Sequence, residues 1–436
     1  MSSTLCRALF VTDWLPIGPE WIAAGISKRQ HLLIDSLKHL GVDIDVLIYL
    51  PHMSYDGSEE HVREIERELG VLWGGVFRVT LCRRAMPSET KSFWAYYLSP
   101  AKSLFHQKGY AEFAGTLQVS AFEQCLEDKP DLVFVHRLKS MVPALLTKKN
   151  IPPLFLDLDD IEHITFRRRV AVPPVWPSKR LEYLQIPALM AGERSAIKLS
   201  RKTFVCSELD RSKLQGLFRT KNVESVPNAV ALQPVSPPSL SPTLLFLGHY
   251  GYAPNRSGAE YFLDQVWPRI LAAKPNAQAI IAGADPESIR HHRSPPPGVT
   301  FPGFVSALNE LYARTKVVIC PILTGGGTRI KIMEAAAYGR PIIATHVGAE
   351  GIDLRDGDEI LLRNTPASFA DACIELLGND AAARDLGERA RQAIAEKYDR
   401  SQVIDRLASI LSEHSHIPLQ SLSQTPTRHG EDSNAD

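Results

Sequence analysis

The stretch KVVICPILTGGGTRIKIMEAAAYGRPIIAT (316–345) decides the fold of this chain. An apolar run, KVVICPI, leads through three glycines into a segment with helical periodicity, and PIIAT then begins another apolar run. Gly339 and Pro341 follow the periodic segment, and both residue types commonly end helices. A strand, a glycine-rich turn, a helix and a second strand in this order predict one unit of a parallel sheet.

The same alternation of apolar runs and amphipathic segments extends over the whole chain. In the second half the further strand candidates are TLLFLG, QAIIAG and VTFPGF. In the first half they are RALFVT (7–12), VDIDVLIYL (42–50), DLVFVH (131–136), PLFLDLD (153–159), KTFVCS (202–207) and VESVP (223–227). Strands separated by helices predict an α/β protein with two Rossmann-like, doubly wound parallel-sheet domains facing a central cleft.

A segment rich in proline and serine, NAVALQPVSPPSLSP (228–242), separates the two halves. After Gly378 the chain is predicted to be helical, and its polar end shows no periodicity. The expected segments are an N-terminal domain (1–230), a linker (231–242), a C-terminal domain (243–398), a helix that packs back on the first domain (399–414) and a disordered tail (415–436).

Length and composition narrow the class of protein. A chain of 436 residues is too long for one ordinary core, which agrees with two domains. The formal net charge of zero argues against a dedicated nucleic-acid binder. The six cysteines form no CxxC pair, so we expect reduced thiols in the core rather than disulfides or a zinc site. With no stretch of about 18 apolar residues and no signal peptide, the prediction is a cytoplasmic protein.

The three consecutive glycines, 325–327, point to a ligand. Each would cost about 1 kcal/mol relative to alanine in a helix, so they fit a backbone that must approach something bulky and charged. The next helix is predicted to begin near Thr328 or Arg329, and the free amides at a helix start suit a phosphate. Arg329 and Lys331 add positive charge against the preference of the helix dipole, which a bound diphosphate would explain. The alternative is a flexible loop with solvated basic side chains.

Glu334 has two interpretations. It lies three residues after Lys331, and such a pair on a helix surface stabilises by only a few tenths of a kcal/mol. Its carboxylate could instead accept hydrogen bonds from the two neighbouring hydroxyls of a ribose. The small residues that follow it, AAAYG, indicate close packing and favour the second interpretation.

Three segments carry a resemblance to a known family. ICPILTGGGTRIKIMEAAAYGRPIIATHVGAEGI resembles the donor-binding signature of family-4 retaining glycosyltransferases of the GT-B fold. VPNAV (226–230) is similar to the segment that closes their N-terminal domain, and LLFLGHYGYAPNRSGAEYFLDQVWPRI resembles the start of their C-terminal domain. The first half of the chain matches the family only in its general pattern.

The resemblance implies a reaction. A sugar would move from a nucleotide-sugar donor to a hydroxyl of a saccharide, a lipid-linked or another acceptor, in polysaccharide, glycolipid or glycoconjugate synthesis. It implies retention of configuration by front-face displacement, with no metal ion and no other cofactor. Two alternatives remain open, a non-catalytic GT-B partner subunit and a sugar-nucleotide epimerase.

The resemblance also implies site residues. Glu334 matches the second glutamate of the family's E-x7-E motif, which holds the ribose, whereas Gly326 stands where the first glutamate is usual. The family usually carries an arginine and a lysine on the loop after the first strand of the second domain, where they grip the diphosphate. Here that loop offers Arg256 but no nearby lysine, so Arg329 or Lys331 is expected to supply the missing charge. The expected catalytic residues are His136, Arg256, Arg329 and Lys331. The expected donor-binding residues are Gly25, Gly326, Gly327, Thr328, Arg329, Ile330 and Glu334.

In the first half the expectations rest on single residues. Gly25 stands where the family has a glycine-containing loop under the donor, and it could equally be an ordinary loop glycine. His136 ends a strand where a family histidine contacts the donor sugar, although a lone histidine is more often a surface or core residue. Three carboxylates, Asp157, Asp159 and Asp160, could bind a metal or an acceptor hydroxyl. Alternatively, Asp159 or Asp160 could cap the following helix.

Two stretches mix aromatic or proline residues with basic ones, KSFWAYYLSPAKSLFHQKGY (91–110) and FRRRVAVPPVWPSKR (166–180). Such a mixture suits peripheral contact with the inner face of a membrane, or a glycolipid acceptor. It suits an ordinary packing surface equally well.

Overall fold

A computed structural model describes residues 6–22, 24–86, 104, 107–171, 177–234 and 238–419. Most of 91–110, the middle of 166–180, three residues of the expected linker and the expected tail from 420 onward lie outside the described residues.

The first half of the chain forms a parallel sheet. Its strands are β1 (Arg7–Thr12), β2 (Asp43–Leu50), β3 (Arg78–Arg83), β4 (Leu132–His136), β5 (Leu154–Asp157), β6 (Lys202–Val205) and β7 (Val223–Ser225). Their order is β3-β2-β1-β4-β5-β6-β7. The connecting helices are α1 (Pro19–Ile22), α2 (Gly25–Leu40), α3 (Glu59–Trp73), α4 (Lys108–Ala111), α5 (Thr116–Glu127), α6 (Val142–Leu146), α7 (Glu162–Ala171), α8 (Pro177–Leu181), α9 (Ile186–Leu199) and α10 (Glu208–Phe218).

The second half repeats this architecture. Its strands are β8 (Thr243–Leu247), β9 (Gln278–Ala282), β10 (Val299–Gly303), β11 (Val317–Cys320), β12 (Ile342–Ala344) and β13 (Leu361–Leu362), in the order β10-β9-β8-β11-β12-β13. Its helices are α11 (Ala253–Tyr261), which continues through a π-helical turn (Phe262–Val266) into α12 (Trp267–Ala273), and α13 (Leu308–Ala313), α14 (Ile330–Ala337), α15 (Pro366–Gly378), α16 (Asp380–Lys397) and α17 (Arg400–Ser415).

The strands are near-continuous apolar runs because helices cover both faces of each sheet. All four residues of β11, VVIC, are buried, and so are all five of β4, LVFVH. The pattern that predicted two doubly wound α/β domains is therefore confirmed.

In each sheet the strand order reverses once, between β1 and β4 and between β8 and β11. Ligands of doubly wound sheets bind at such a reversal, beyond the carboxyl ends of the strands. The glycine-rich turn follows β11 directly and so lies at the reversal point of the second sheet. The loops of the first sheet meet it across a cleft, where a Cβ at Gly25 would lie 3.6 Å from Cδ1 of Ile330.

The last helix returns to the first half of the molecule. Val403, Leu407 and Leu411 of α17 belong to the same buried cluster as the apolar face of α2. Arg400 also donates to Asp35 of α2 at 2.7 Å. The two halves are thus joined both by the linker and by α17.

Candidate functional site

Each of the three glycines after β11 has its own physical reason. Gly325 and Gly327 have φ angles of 109° and 70°, in the left-handed region that strains other residues. At Gly326 a Cβ would lie 2.2 Å from Oγ1 of Thr165 and 2.6 Å from Oδ2 of Asp160. Gly326 therefore allows a close approach of the first domain rather than a special backbone angle.

The carbonyl groups of this turn all accept hydrogen bonds from arginines. Nη1 of Arg168 donates to the carbonyl of Gly325 at 2.8 Å, and Nη1 of Arg329 donates to those of Gly326 and Gly327. In a trans peptide the N–H points opposite the C=O, so the next three amides, at 326–328, point away from the arginines. Those amides bond to no group in the described part of the chain. Adjacent free amides form an anion-binding concavity.

Two cations border the turn. Arg329 is only 8% exposed, and its Nε and Nη2 have no hydrogen-bond partner among the described residues. Lys331 donates to Oδ1 of Asn255 at 2.8 Å, and its Nζ lies 4.7 Å from the ring centre of Phe246. Burial, with a smaller effect of the Arg329 charge, lowers the pKa of Lys331 to about 8. No carboxylate among the described residues pairs with either cation.

Lys331 extends from α14 toward the loop that follows β8. A Cβ at Gly248, in the loop after β8, would lie 3.1 Å from Nζ of Lys331. The ammonium group of Lys331, from α14, therefore lies beside this loop. Arg256 lies in the first turn of α11 and is partly buried, and its side chain forms no hydrogen bond or ion pair among the described residues.

Glu334 does not pair with Lys331, the alternative that its spacing allowed. Its Oε1 accepts a hydrogen bond from Nζ of Lys28, a side chain of α2 in the first domain. Helix α14 begins at Ile330, one or two residues later than expected, because Arg329 is still extended with φ −93° and ψ 93°. Thr328 accepts from Nδ2 of Asn228 at 2.7 Å, so it also touches the first domain.

His136 lies at the end of β4 as expected, but it is 0% exposed. Its Nδ1 lies 3.2 Å from Oγ1 of Thr12, which joins β4 to β1. Burial lowers the pKa of His136 to about 4, so the ring is neutral near pH 7. A buried ring does not reach the cleft surface, and the expected contact between His136 and the donor sugar gains no support.

Two of the three carboxylates at the end of β5 and just after it, Asp157 and Asp160, lie in different environments. Asp157 and Arg29 are both fully buried and joined at 2.5 Å, so Asp157 serves neither a ligand nor a helix cap. Asp160 accepts from the backbone N–H of Ile161 at 2.8 Å, ahead of α7, which begins at Glu162. No group of three or more metal-ligating side chains was found among the described residues.

The sequence did not predict which side chains of the first domain reach the turn and α14, although it named Asp160 as a possible ligand of a metal or an acceptor hydroxyl. These side chains are Lys28, Asp160, Thr165, Arg168 and Asn228. Weak signals existed. Arg168 belongs to the basic stretch 166–180, and Asn228 belongs to VPNAV. Neither signal indicates a contact with the turn, because such contacts depend on how two domains meet. Among the helices the structure describes, none is long and apolar enough to cross a membrane.

Comparisons with known proteins agree with this geometry. Residues 241–379 match the family described as Glycosyl transferases group 1. A phosphatidyl-myo-inositol mannosyltransferase of Mycobacterium leprae is 32% identical over 198 residues, which are 43% of this chain and 50% of that protein. The chain spans about half the length of the curated relatives it matches, 44% and 50%.

Solved structures extend the likeness to both domains. TarM from S. aureus superposes with a TM-score of 0.67 at 10% identity, over 94% of this chain and 99% of that one. HepE from Anabaena, in complex with UDP and glucose, has a TM-score of 0.59 at 15% identity, over 94% and 100%. The chain has the GT-B fold. Together with the group 1 match over its second domain, the fold supports a glycosyltransferase.

Proposed function

We propose that the protein transfers a sugar from a nucleotide-sugar donor to a hydroxyl of a saccharide, lipid-linked or other acceptor. The observation that carries the proposal is the glycine-rich turn after β11, where three amides and the Nε and Nη2 atoms of Arg329 have no partner among the described residues. With Lys331 beside them and no paired carboxylate, this site is suited to a diphosphate. The UDP found with HepE is a ligand of this chemistry.

Glu334 suits the nucleoside end of such a donor. It lies one turn beyond the start of α14, about 6 Å along the axis from Ile330. Its two carboxylate oxygens can accept from the two ribose hydroxyls, and its contact with Lys28 holds the side chain toward the cleft. Gly25 lies across the cleft from Ile330, and Thr328 beside it accepts from Asn228 of the first domain.

The chemistry proposed is front-face displacement with retention. The bond between the anomeric carbon and the diphosphate oxygen breaks, the acceptor oxygen bonds to the same face, and the leaving diphosphate takes the proton of the acceptor hydroxyl. Negative charge grows on the diphosphate during this step. In this proposal the free amides, Arg329 and Lys331 stabilise that charge, which lowers the barrier without a protein acid or base. That the reaction needs no metal ion stays a prediction.

Release of nucleoside diphosphate tests the proposal. The intact protein is incubated with UDP-glucose, UDP-galactose, GDP-mannose, ADP-glucose or TDP-glucose, with and without a mixture of glycoside and lipid-linked acceptors. Diphosphate release that needs an acceptor supports transfer, and the NMR coupling of the new anomeric proton reports retention. Conversion of the donor sugar without an acceptor would identify an epimerase. Donor binding without turnover would favour a partner subunit.

Location in the cytoplasm and peripheral membrane contact also stay predictions. Flotation of the protein with vesicles rich in anionic lipid, at low salt, tests the second. Absence of the protein from the floating fraction would remove that idea.

A further inference from the structure

Position 326 carries no acid, but a carboxyl group of the first domain, that of Asp160, lies against it. The carboxyl oxygens of Asp160 lie 2.6 and 2.8 Å from the position that a Cβ at Gly326 would take, and Oγ1 of Thr165 lies 2.2 Å from it. Oxygens this close to a Cβ would have to shift, and the Asp160 carboxyl would then lose the hydrogen bonds that hold it. Any residue other than glycine at 326 would displace Asp160. The two positions are therefore mutually dependent, although they lie in different domains.

Asp160 is held in one orientation. Oδ1 accepts from the backbone N–H of Ile161 at 2.8 Å, and Oδ2 accepts from the hydroxyl of Thr165 at 2.5 Å. The residue before it, Asp159, has φ 60°, a left-handed conformation that costs about 1 kcal/mol or more outside glycine. The buried pair of Arg29 and Asp157 fixes the end of β5 from which this turn departs. The strained turn thus places the Asp160 carboxyl against the glycine-rich turn.

This carboxyl has no cationic partner among the described residues. Burial raises its pKa to about 7, helped by the neighbouring carboxylates of Asp159 and Glu162. An acid of this kind can both donate to and accept from a hydroxyl near neutral pH. Asp160 and Arg329 both lie against the glycine-rich turn, since the Asp160 carboxyl borders Gly326 and Arg329 donates to the carbonyls of Gly326 and Gly327. A cation and an acid side by side suit a ligand in which an uncharged, hydroxyl-bearing group is joined to a diphosphate.

We propose that Asp160, supplied by the first domain, binds a hydroxyl of the sugar that is transferred, in the place left open by Gly326. The inference rests on the proposed function and adds a positioning and specificity residue to it. Because Asp160 reaches the turn only when the domains meet, the sugar is gripped in the closed cleft and not by the second domain alone.

The test compares Asp160→Ala and Asp160→Asn with Asp385→Asn, whose carboxyl is 55% exposed on α16. Binding of UDP or GDP alone and turnover of the active nucleotide-sugar are measured for each variant. Loss of the Asp160 contact should leave nucleoside diphosphate affinity within about twofold. It should lower kcat/KM about tenfold to a hundredfold, as expected for a hydrogen bond to a charged or strongly polar group. Asp385→Asn should behave as wild type.

A swap separates position from side-chain identity. Asp160→Ala with Thr165→Ala removes the obstruction, and Gly326→Glu is then added to return an acid from the second domain. The triple variant should recover at least part of the turnover lost in the double variant, whereas Gly326→Glu alone should be as impaired as Asp160→Ala. Unchanged turnover in Asp160→Ala, with normal diphosphate binding, would overturn this inference and leave the proposed function standing. Failure of the wild type to bind any nucleoside diphosphate would overturn both.

Discussion

At the scale of single residues, Arg329 dominates the charge of the site. Its guanidinium is buried, and two of its nitrogens have no partner in the part of the chain that the structure describes, whereas Lys331 is engaged by Asn255 and the ring of Phe246. The sequence predicted that either of these cations could supply the extra positive charge at the diphosphate. We therefore propose that Arg329 contacts the diphosphate directly, whereas Lys331 lies beside the loop after β8.

Arg329→Gln should weaken binding of UDP or GDP by about tenfold to a hundredfold, because a charge-assisted hydrogen bond contributes about 1.5–3 kcal/mol. Isothermal titration calorimetry measures the change. Arg384→Gln is the matched control, since Arg384 is 55% exposed on α16 and pairs only with its own helix. Equal affinities in the two variants would exclude a direct role for Arg329.

Asp160 should give the folded protein a distinctive pH response. Its pKa rises from 3.8 to about 7 on folding, chiefly through burial, so the folded state favours the protonated acid. The contribution of this group to the free energy of unfolding is fully present below about pH 4 and is lost as pH rises toward about pH 7. Asp159, Glu162 and Asp210 face it with negative charge, and the positive charge of Arg168 lies nearby.

Asp160→Asn removes this titration but keeps a neutral side chain of the same shape. The melting temperature of wild type should therefore fall relative to Asp160→Asn between about pH 4 and about pH 7, and the gap should stay constant above that. Differential scanning calorimetry across this range measures it. A gap that does not change with pH would mean that Asp160 titrates normally.

The sequence indicated residues of the candidate site where one continuous motif carried them. The glycine turn, Arg329 and Glu334 all lie within 324–341, and the structure brings them to one side of the cleft. It did not predict Asp160 at Gly326 or Lys28 at Glu334, since both contacts join distant parts of the chain. Burial of His136 was also not foreseeable, because a strand end can finish inside or outside the core.

At the scale of elements, the glycine-rich turn is defined by its backbone. Gly327→Ala should cost about 1–2 kcal/mol of stability because φ is 70° there. Gly357→Ala is a control with matched strain, since its φ is 78°, it also lacks close neighbours, and it lies away from the turn.

The two alanine variants should therefore lose similar stability in chemical denaturation. Only Gly327→Ala should also weaken nucleoside diphosphate binding, by several-fold, because it distorts the row of free amides. Equal effects of both variants on binding would remove the turn from the site.

Most strands were predictable because buried parallel strands are continuous apolar runs. Predicted ends agree with the structure to within a few residues, as for β4, predicted over 131–136 and observed over Leu132–His136. Two strands were missed. β3 (Arg78–Arg83) lies at a sheet edge with both ends exposed, and β13 (Leu361–Leu362) has only two residues, so neither shows an apolar run.

At the scale of the whole molecule, contacts across the cleft surround the site. Arg168 of α7 donates to Glu350 at 2.7 Å and to the carbonyl of Gly325, and Lys213 reaches the same glutamate at 3.3 Å. Lys28 contacts Glu334, and Asn228 contacts Thr328. Most of these contacts involve residues of the donor site, so closure and donor binding should be coupled.

Arg168→Ala should shift the domains toward an open arrangement, because it removes an ion pair and a hydrogen bond to the turn. In small-angle X-ray scattering its radius of gyration should exceed that of wild type without ligand and approach it when UDP or GDP is added. Arg384→Ala should match wild type throughout. The pair is partly exposed and contributes about 1 kcal/mol or less, so identical scattering at low salt would show that other contacts hold the cleft closed.

The central claim is that the cleft binds a nucleoside diphosphate through the glycine-rich turn and Glu334. Calorimetric titration of the intact protein with UDP, GDP, ADP and TDP tests it most directly, with Glu334→Ala beside Glu388→Ala, a glutamate 66% exposed on α16. We predict that at least one of the four binds wild type and Glu388→Ala equally, and Glu334→Ala at least about tenfold more weakly. Binding of none of them to wild type, or equal binding to all three proteins, would contradict the account.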